Sequence, residues 1–238
     1  MASFVLVPGA GGSALYWSRL VPVLQARGHD ALAVDLPAAD DDAGLQAYVE
    51  AVLAALRTAG LPDGREVVVV AQSMGGLTGP LLCDRVPVRL LVLLNAMVPL
   101  PGETGHEWWA ATGHQQAVAE QAARDGVPPE LAMDPTYAFL HDLPPDVLAE
   151  LTAAGEPAQS GRPFDDPWPL EAWPDVPTRV LHGRDDRFFP LAFQREVVRA
   201  RLGLPVDELP GGHLLALSRP QELADRLEAY LEQTPPTG

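Results

Sequence analysis

Short apolar runs alternate with helical patterns along most of the chain. Residues 3–7 and 66–70 are mostly apolar and β-branched, which is typical of strands buried on both faces of a parallel sheet. Six strands are predicted, at residues 3–7, 31–36, 66–70, 89–95, 178–181 and 206–209. Helices are predicted at residues 15–27, 45–58, from Met74 onward, 191–201 and 221–231, with the acidic cluster at residues 40–42 as an N-terminal signal for the second of them. This alternation predicts an α/β fold with a mainly parallel sheet of about six strands flanked by helices.

The alternation stops between about residue 98 and residue 177. That stretch is rich in proline and tryptophan, has no strand pattern, and has helical patterns only near residues 106–124, 136–141 and 146–154. We interpret it as an inserted helical cap over the carboxyl edge of the sheet, where α/β folds bind ligands. The predicted domain division is therefore a core of residues 1–97 and 178–238, with residues 98–177 as the cap.

Charge and cysteine content narrow the possible partners and the compartment. The net charge is −16, all 16 basic residues are arginines, and there is no lysine. Such a chain is a poor partner for nucleic acid or an anionic membrane, and it cannot use a lysine in catalysis. Cys83 is the only cysteine, so no intramolecular disulfide is possible. Together with the absence of a signal-peptide pattern or a span of ~18 apolar residues, this predicts a cytoplasmic protein with a small-molecule substrate.

One local motif carries a specific chemical prediction. A predicted strand runs into Ser73 and is followed by a helical pattern, with small residues around the serine, in the order Val67-Val68-Val69-Val70-Ala71-Gln72-Ser73-Met74-Gly75-Gly76. A tight turn of this kind lifts the hydroxyl above the strand ends and aims the following N–H groups towards it. Ala71 stands where G-x-S-x-G has its first glycine. The motif predicts Ser73 as a nucleophile.

A serine hydroxyl needs a base, and the base needs an acid that fixes its tautomer. The strand at residues 178–181 leads into a turn with two carboxylates, Asp185 and Asp186. His213 follows two glycines in the loop between the last predicted strand and the last predicted helix. Serine, aspartate and histidine, each after a different strand and in this order, form one of the known arrangements of a catalytic triad.

These motifs resemble the α/β-hydrolase superfamily over nearly the whole chain. Two segments, residues 5–17 (VLVPGAGGSALYW) and 94–99 (LNAMVP), are similar to the small-cap branch that contains plant methyl esterases and hydroxynitrile lyases. The pattern G-x-x-D-x-x-x-P of that family selects Asp186 as the acid. The resemblance also implies that the backbone N–H groups of Ala10 and Met74 form an oxyanion hole.

The chain departs from the family pattern at two points. Pro8 stands where relatives have a histidine before the oxyanion loop. The lyase branch uses a lysine near its substrate, which this chain lacks. The second departure argues against cyanohydrin cleavage.

Other residues permit further interpretations. The first loop, Gly9-Ala10-Gly11-Gly12-Ser13-Ala14, also matches a dinucleotide-binding pattern, with Asp35 placed 24 positions beyond Gly11. His106 and His114 are too far apart in sequence to predict a metal site, and none is predicted. Substrate contacts are predicted for Gly9, Trp108, Tyr137 and His141.

The predicted function is hydrolysis of a small or medium, largely apolar ester, thioester or lactone. It would proceed through an acyl-enzyme on Ser73, with His213 as base and Asp186 as acid, and without a cofactor. Three alternatives remain open: a triad redirected to a non-hydrolytic step such as cyclisation or C–C cleavage, a receptor-like ligand binder, and an NAD(P)-binding protein.

Overall fold

Six parallel strands form one sheet at the centre of the molecule. The computed structural model of the protein describes residues 1–61 and 66–235. The strands are β1 Ser3–Val7, β2 Asp30–Ala33, β3 Val67–Gln72, β4 Val88–Leu94, β5 Thr178–Gly183 and β6 Val206–Leu209. Their order across the sheet is β2-β1-β3-β4-β5-β6, and every neighbouring pair is parallel. The predicted fold class and number of strands are confirmed.

Helices connect the strands and cover both faces of the sheet. They are α1 Leu20–Ala26, α2 Leu45–Thr58, α3 Gly105–Thr112, α4 His114–Arg124, α5 Pro135–Ala138, α6 Pro145–Ala154, α7 Arg162–Asp165, α8 Leu191–Leu202, α9 Leu215–Ser218 and α10 Pro220–Gln233. Short 3-10 segments cover Ala14–Trp17, Ser73–Leu77, Gly79–Leu82 and Pro129–Leu131. No helix among the described residues has both the length and the apolar character needed to cross a bilayer.

Two predicted helices outside the segment between β4 and β5 differ from the observed ones, and each contains a proline. The helix predicted at residues 15–27 is a 3-10 turn followed by α1, which includes Pro22 in its first turn. The helix predicted from Met74 is two 3-10 segments, the second containing Pro80. A proline lacks the N–H of a continuous helix and its ring clashes with the carbonyl four residues earlier, so neither helix can run through.

A third difference concerns the start of α2. The acidic cluster at residues 40–42 was expected to mark this helix end, but the side chain that binds it is Asp166, whose Oδ2 accepts the Leu45 N–H at 2.8 Å. Asp166 lies 121 positions away in sequence. The helix is therefore capped by the segment between β4 and β5.

The segment between β4 and β5 contains helices α3 to α7 and no strand. The predicted helix at residues 106–124 is broken at Gly113, which has a φ of 71° and separates α3 from α4. Trp168 attaches the segment to the core, because its Nε1 donates to the Leu77 carbonyl at 3.0 Å. Trp108 Nε1 donates to the Val98 carbonyl at 3.0 Å within the segment. Its division from the core as a separate cap remains a prediction.

The core lies on both faces of the sheet, because successive side chains along each strand point to opposite faces. In β3, Val67, Val69 and Ala71 pack on the face covered by α2 and α8. Val68 and Val70 pack on the opposite face, against α1 and α10. With both faces buried, the polar groups of the molecule's centre collect at the carboxyl ends of the strands.

Candidate active site

Ser73 is held in a strained turn at the carboxyl end of β3. Its φ is 55°, a left-handed conformation that costs a non-glycine residue of order 1–3 kcal/mol. We call residues Ser73–Leu77 the Ser73 turn. A Cβ on Gly75 would lie 2.7 Å from the Pro8 carbonyl oxygen, and one on Gly76 would overlap the Met97 carbonyl. Glycine at both places lets the turn pass between these two backbone segments.

The contacts of Ala71 explain why it can replace the usual glycine. A Cβ on Gly79 would lie 2.5 Å from the Ala71 Cβ. Gly79 therefore leaves the space that the Ala71 methyl group fills. The glycine missing from the motif is compensated on the neighbouring segment.

The structure brings the three predicted triad residues together. His213 Nε2 lies 2.9 Å from Ser73 Oγ, and His213 Nδ1 lies 2.7 Å from Asp186 Oδ2. A carboxylate only accepts hydrogen bonds, so Nδ1 carries the proton and Nε2 is free to accept from the serine hydroxyl. Asp186, and not Asp185, contacts His213. Ser73 is 7% exposed and His213 is 2% exposed, so the arrangement is shielded from bulk water.

Asp186 is ionised in spite of its burial. Its Oδ1 accepts the N–H groups of Phe188 and Phe189, each at 2.9 Å. Burial alone would raise the pKa of Asp186, but the charge and hydrogen bond of His213 and the Phe189 N–H hold this pKa below its ordinary value. The aspartate can therefore stabilise a positive charge on the imidazole ring.

Two further histidines hold the backbone that binds Asp186. His114 Nε2 donates to the Phe188 carbonyl at 2.7 Å, and His182 Nε2 donates to the Phe189 carbonyl at 2.8 Å. Burial lowers the pKa of both histidines, which keeps them neutral. Their role here is structural support of residues 186–189, which we call the aspartate turn.

Backbone groups near Ser73 fit the predicted oxyanion hole. Met74 is the second residue of the 3-10 segment that begins at Ser73, so its N–H precedes the first intrahelical bond. On the other side, a Cβ on Gly9 would lie 2.6 Å from the Ser73 Cβ, which places the loop of Gly9 and Ala10 against the serine. Gly9 is buried and Ala10 is exposed. The role of Ala10 and Met74 remains a prediction.

An aromatic wall surrounds the imidazole of His213. The rings of Phe139, Phe188 and Phe189 have centroids 5.2–5.4 Å from the His213 ring. Phe139 comes from the segment between β4 and β5, whereas the other two follow β5. This wall makes the surroundings of the triad apolar.

The other predicted substrate contacts lie at different distances from this centre. Trp108 is fully buried and packs on Phe189, one layer behind the wall. Tyr137 donates its hydroxyl to Asp125 at 2.7 Å and lies under the guanidinium of Arg187. Burial and the Asp125 carboxylate raise the pKa of Tyr137 to about 12. Neither of these described contacts involves Ser73, and a substrate role for both residues remains a prediction.

His141 lies beside the His213 loop, which we define as residues 210–214. A Cβ on Gly212 would lie 2.6 Å from His141 Cε1, and burial lowers the pKa of His141. His141 also lines a cavity of about 680 Å³ rich in charged residues, including Arg187 and Arg219. Of the described residues that line this cavity, none is Ser73 or His213. The cavity is lined by Asp186 and Gly211 but not by the serine, so it is not the space in front of the serine.

The groups of the dinucleotide-like motif are engaged within the protein. The Gly11 N–H donates to Gln159 Oε1 at 2.9 Å, and Pro157 fills the space beside the Gly11 Cα. Asp35 Oδ1 accepts the Ala14 N–H at 2.7 Å. These are the backbone and carboxylate groups that would bind pyrophosphate and ribose, so the loop geometry favours the hydrolase interpretation.

The two histidines considered for a metal site have separate protein partners. His106 Nε2 lies 3.2 Å from Asp165 at the surface, whereas His114 is buried on the Phe188 carbonyl. Within residues 1–61 and 66–235, no group of three or more histidine, cysteine, aspartate or glutamate side chains could hold a metal ion.

Comparison with known proteins decides the family. The sequence model of the alpha/beta hydrolase family matches residues 4–226. The chain belongs to the alpha/beta hydrolase family. The six-stranded parallel sheet and the helices that flank it are accordingly the fold of an alpha/beta hydrolase.

Plant enzymes of the predicted branch are among the proteins that this chain is similar to. Probable esterase PIR7A of Oryza sativa subsp. indica is 30% identical over 261 residues, covering 94% of this chain and 94% of that protein. Alpha-hydroxynitrile lyase of Arabidopsis thaliana is 28% identical over 248 residues, covering 95% of each chain. The crystal structure of methylesterase MES16 from Arabidopsis has a TM-score of 0.72 at 21% identity, covering 98% of this chain and 100% of that one. The predicted resemblance is confirmed, and the esterase relatives support an ester hydrolase.

Sequence reasoning assigned no role to three polar residues that contact the His213 loop. Asp142 Oδ2 accepts the Gly212 N–H at 2.8 Å, and the side-chain amides of Gln72 and Asn95 donate to the His213 carbonyl. Gln72 and Asn95 stand in segments that the motifs already marked, next to Ser73 and directly after β4. The sequence does not reveal that they converge on one atom.

Proposed function

We propose that this alpha/beta hydrolase is a cofactor-independent serine esterase that forms an acyl-enzyme on Ser73. The observation that carries the proposal is the buried chain of hydrogen bonds from Ser73 Oγ through His213 to Asp186, with contacts of 2.9 and 2.7 Å. A serine beside a base whose tautomer is fixed by an ionised acid is the arrangement that activates a hydroxyl for acyl transfer. The esterase relatives support the same reaction class.

The proposed mechanism has two half-reactions, and in each of them His213 acts first as base and then as acid. Ser73 attacks the ester carbonyl while His213 Nε2 takes the hydroxyl proton, and Asp186 stabilises the imidazolium. The N–H groups of Ala10 and Met74 hold the oxyanion, and one such donor typically contributes about 3–4 kcal/mol in the transition state. His213 then protonates the leaving alcohol, and water attacks the acyl-enzyme by the same route.

The surroundings of the triad favour a small or medium, largely apolar ester, thioester or lactone. Phe139, Phe188 and Phe189 surround His213, and Ser73 is almost fully buried. A charged acyl group would lose its hydration against this wall without gaining a partner there. We also propose a small-molecule substrate and a cytoplasmic location, where the single Cys83 would remain reduced.

The first test is intact mass spectrometry after exposure to a fluorophosphonate probe. We expect one stoichiometric adduct on the wild type and none on Ser73→Ala. Ser218→Ala is the matched control, because Ser218 is also 7% exposed but lies in α9. We expect this control to be labelled like the wild type. A folded wild type that stays unlabelled, or a Ser73→Ala variant that is still labelled, would contradict the proposal.

A redirected triad is the second candidate, because two relatives have names that are not hydrolases: the alpha-hydroxynitrile lyase and norfluorocurarine synthase 1. Turnover of a panel of short-chain esters, thioesters and lactones in H₂¹⁸O separates the two candidates. Hydrolysis places one ¹⁸O atom in the product acid. A labelled enzyme that turns over none of these compounds favours the redirected triad instead.

A further inference from the structure

Two buried amide side chains meet at the main-chain carbonyl of His213. Asn95 Nδ2 donates to this oxygen at 2.8 Å, and Gln72 Nε2 donates to it at 3.3 Å. Asn95 is fully buried and Gln72 is nearly so. A carbonyl oxygen has two lone pairs, so these two donors fill its hydrogen-bonding capacity. The atom they hold is two bonds from the Cα that carries the imidazole.

The opposite ends of the two amides bind the other parts of the site. Asn95 Oδ1 accepts the N–H of Gly183, the residue whose carbonyl accepts the Asp186 N–H. Gln72 Oε1 accepts the N–H of Gly9 at 3.2 Å. One hydrogen-bonded chain therefore runs from the loop of Gly9, across the His213 carbonyl, to the turn of Asp186. Ser73 follows Gln72 directly, so every part of the triad is tied to this chain.

Only a side chain that both donates and accepts can fill either position. Glycine N–H groups are donors only and the His213 carbonyl is an acceptor only, so each amide has one possible orientation. Asn95 also has a φ of 46°, a conformation in which asparagine is enriched among residues with a side chain. The backbone conformation and the side-chain hydrogen bonds therefore both favour asparagine at position 95.

We propose that Gln72 and Asn95 form an amide clamp that positions His213 for proton transfer with Ser73. The inference rests on the proposed function, since it assigns these residues to the positioning of the base. By holding the His213 carbonyl from the end of β3 and from the residue after β4, the clamp fixes the direction of the Cα–Cβ bond. The hydrogen bond to Asp186 then fixes the ring. Neither amide touches the reacting atoms, so both are positioning residues.

Removal of the clamp lowers turnover rather than substrate binding. Asn95→Gly keeps the left-handed backbone and removes all three side-chain hydrogen bonds, to the Gly212 and His213 carbonyls and from the Gly183 N–H. Gln72→Met removes the second donor at similar volume. Because a displacement of about 1 Å costs on the order of 100-fold in rate, we expect kcat to fall by about 100-fold and KM to stay within about twofold. Gln194→Met is the matched control, since Gln194 is equally buried and donates to the Ala96 carbonyl. It should keep wild-type kcat.

Asn95→Asp gives a pH readout that a merely structural role would not produce. A protonated carboxyl donates to His213 and accepts from Gly183 as the amide does, whereas an ionised one faces the carbonyl with a negative charge. Burial raises the pKa of such a carboxyl. We expect kcat of Asn95→Asp to fall with rising pH where the wild type is level, while Asn95→Gly is low throughout. The clamp would be overturned if the two variants lost the same kcat at every pH and if that loss followed only the fraction of folded protein.

A second measurement separates failure of the clamp from failure of the proposed function. The His213 Nδ1–H bound to Asp186 is expected as a low-field proton resonance, which needs no substrate. We expect it in the wild type and in Gln194→Met, and expect it weakened in Asn95→Gly and Gln72→Met. If the resonance and kcat are unchanged in both clamp variants, the clamp is wrong and the esterase stands. If the wild type resists the fluorophosphonate but the resonance still depends on the amides, the esterase is wrong and the clamp stands.

Discussion

Ser73 and His213 lie 2.9 Å apart, yet the two segments that carry them are built differently. The Ser73 turn is shaped by its own backbone: a positive φ at Ser73 and glycines at 75 and 76 that pass against the Pro8 and Met97 carbonyls. The His213 loop also passes close to backbone, since a Cβ on Gly183 would overlap the Gly212 carbonyl, but it is bound in addition by distant side chains. Side chains from elsewhere hold it, namely Asp142 and Asp185 on its N–H groups and Asn95 and Gln72 on its carbonyls.

The difference has a consequence for mutation. The Ser73 turn lies between two backbone segments, so a substitution in it should lower stability and activity together. The partners of the His213 loop are distant in sequence: Asp142 is 70 positions from Gly212, and Asn95 is 118 positions from His213. Damage to one partner should displace the base in a molecule that stays folded.

The largest effect is expected for Gly76→Ala in the Ser73 turn. The added Cβ would overlap the Met97 carbonyl, which is backbone and cannot rotate away. We expect the free energy of unfolding to fall by about 3 kcal/mol, the upper part of the usual range for overpacking, and activity to fall with it. Urea unfolding and ester turnover measure the two effects.

Gly161→Ala is the control for that experiment. Gly161 has a φ of −74° and nothing within 4 Å of an added Cβ, so its unfolding free energy should change by less than about 0.5 kcal/mol. If Gly76→Ala is as stable as Gly161→Ala, the turn is not constrained by its backbone contacts, and the contrast with the His213 loop is lost.

A smaller effect is expected for Asp142→Ala, on the other side of the comparison. This change frees the Gly212 N–H, one residue before His213. We expect kcat to fall by about 10-fold, because the displacement of the base should be smaller than the one of about 1 Å that costs about 100-fold. The free energy of unfolding should fall by only about 1 kcal/mol. Asp142→Asn keeps an acceptor oxygen and should retain most of the wild-type kcat. Equal kcat for the alanine and asparagine variants would show that this hydrogen bond does not position the base.

The same contrast determines what the sequence reveals. The Ser73 turn follows from neighbouring residues, because a buried strand followed by a serine among small side chains leaves few conformations. The His213 loop could be predicted only as a loop containing a histidine. The choice of Asp186 over Asp185 needed a family resemblance. Asp142 and Asn95 become visible only when the chain is folded, since their partners lie 70 or more positions away.

The fold shows the same division between local and distant causes. The six strands and the fold class were predicted from apolar runs that alternate with helical patterns along the chain. These runs identify strands because a strand buried on both faces must be apolar along its length. The bounds of α2 were predicted correctly, but the adjacent acidic cluster does not bind the Leu45 N–H at its start. Asp166, which belongs to the segment between β4 and β5, occupies that position. A local rule fails where a distant side chain competes for the same N–H group.

The smallest effect sharpens the comparison through pH. His182 is fully buried beside Asp186, and burial lowers its pKa, whereas the Ser73 turn contains no titratable side chain apart from the serine itself. Above the unfolded pKa of about 6.5, His182 is neutral in both states and the folded state is at full stability. As the pH falls below about 6.5, the unfolded chain takes up a proton that the folded protein does not, so stability decreases.

His182→Gln keeps a donor for the Phe189 carbonyl and removes the titration. We expect thermal unfolding between about pH 7 and pH 5.5 to show a smaller decrease in Tm for this variant than for the wild type. His106→Gln, a change to an exposed histidine paired with Asp165, should leave the decrease as in the wild type. If all three proteins show the same decrease, the acid sensitivity lies outside the aspartate turn. A smaller decrease in His182→Gln alone places it beside the acid and base, while the serine holds its position by backbone geometry that pH does not change.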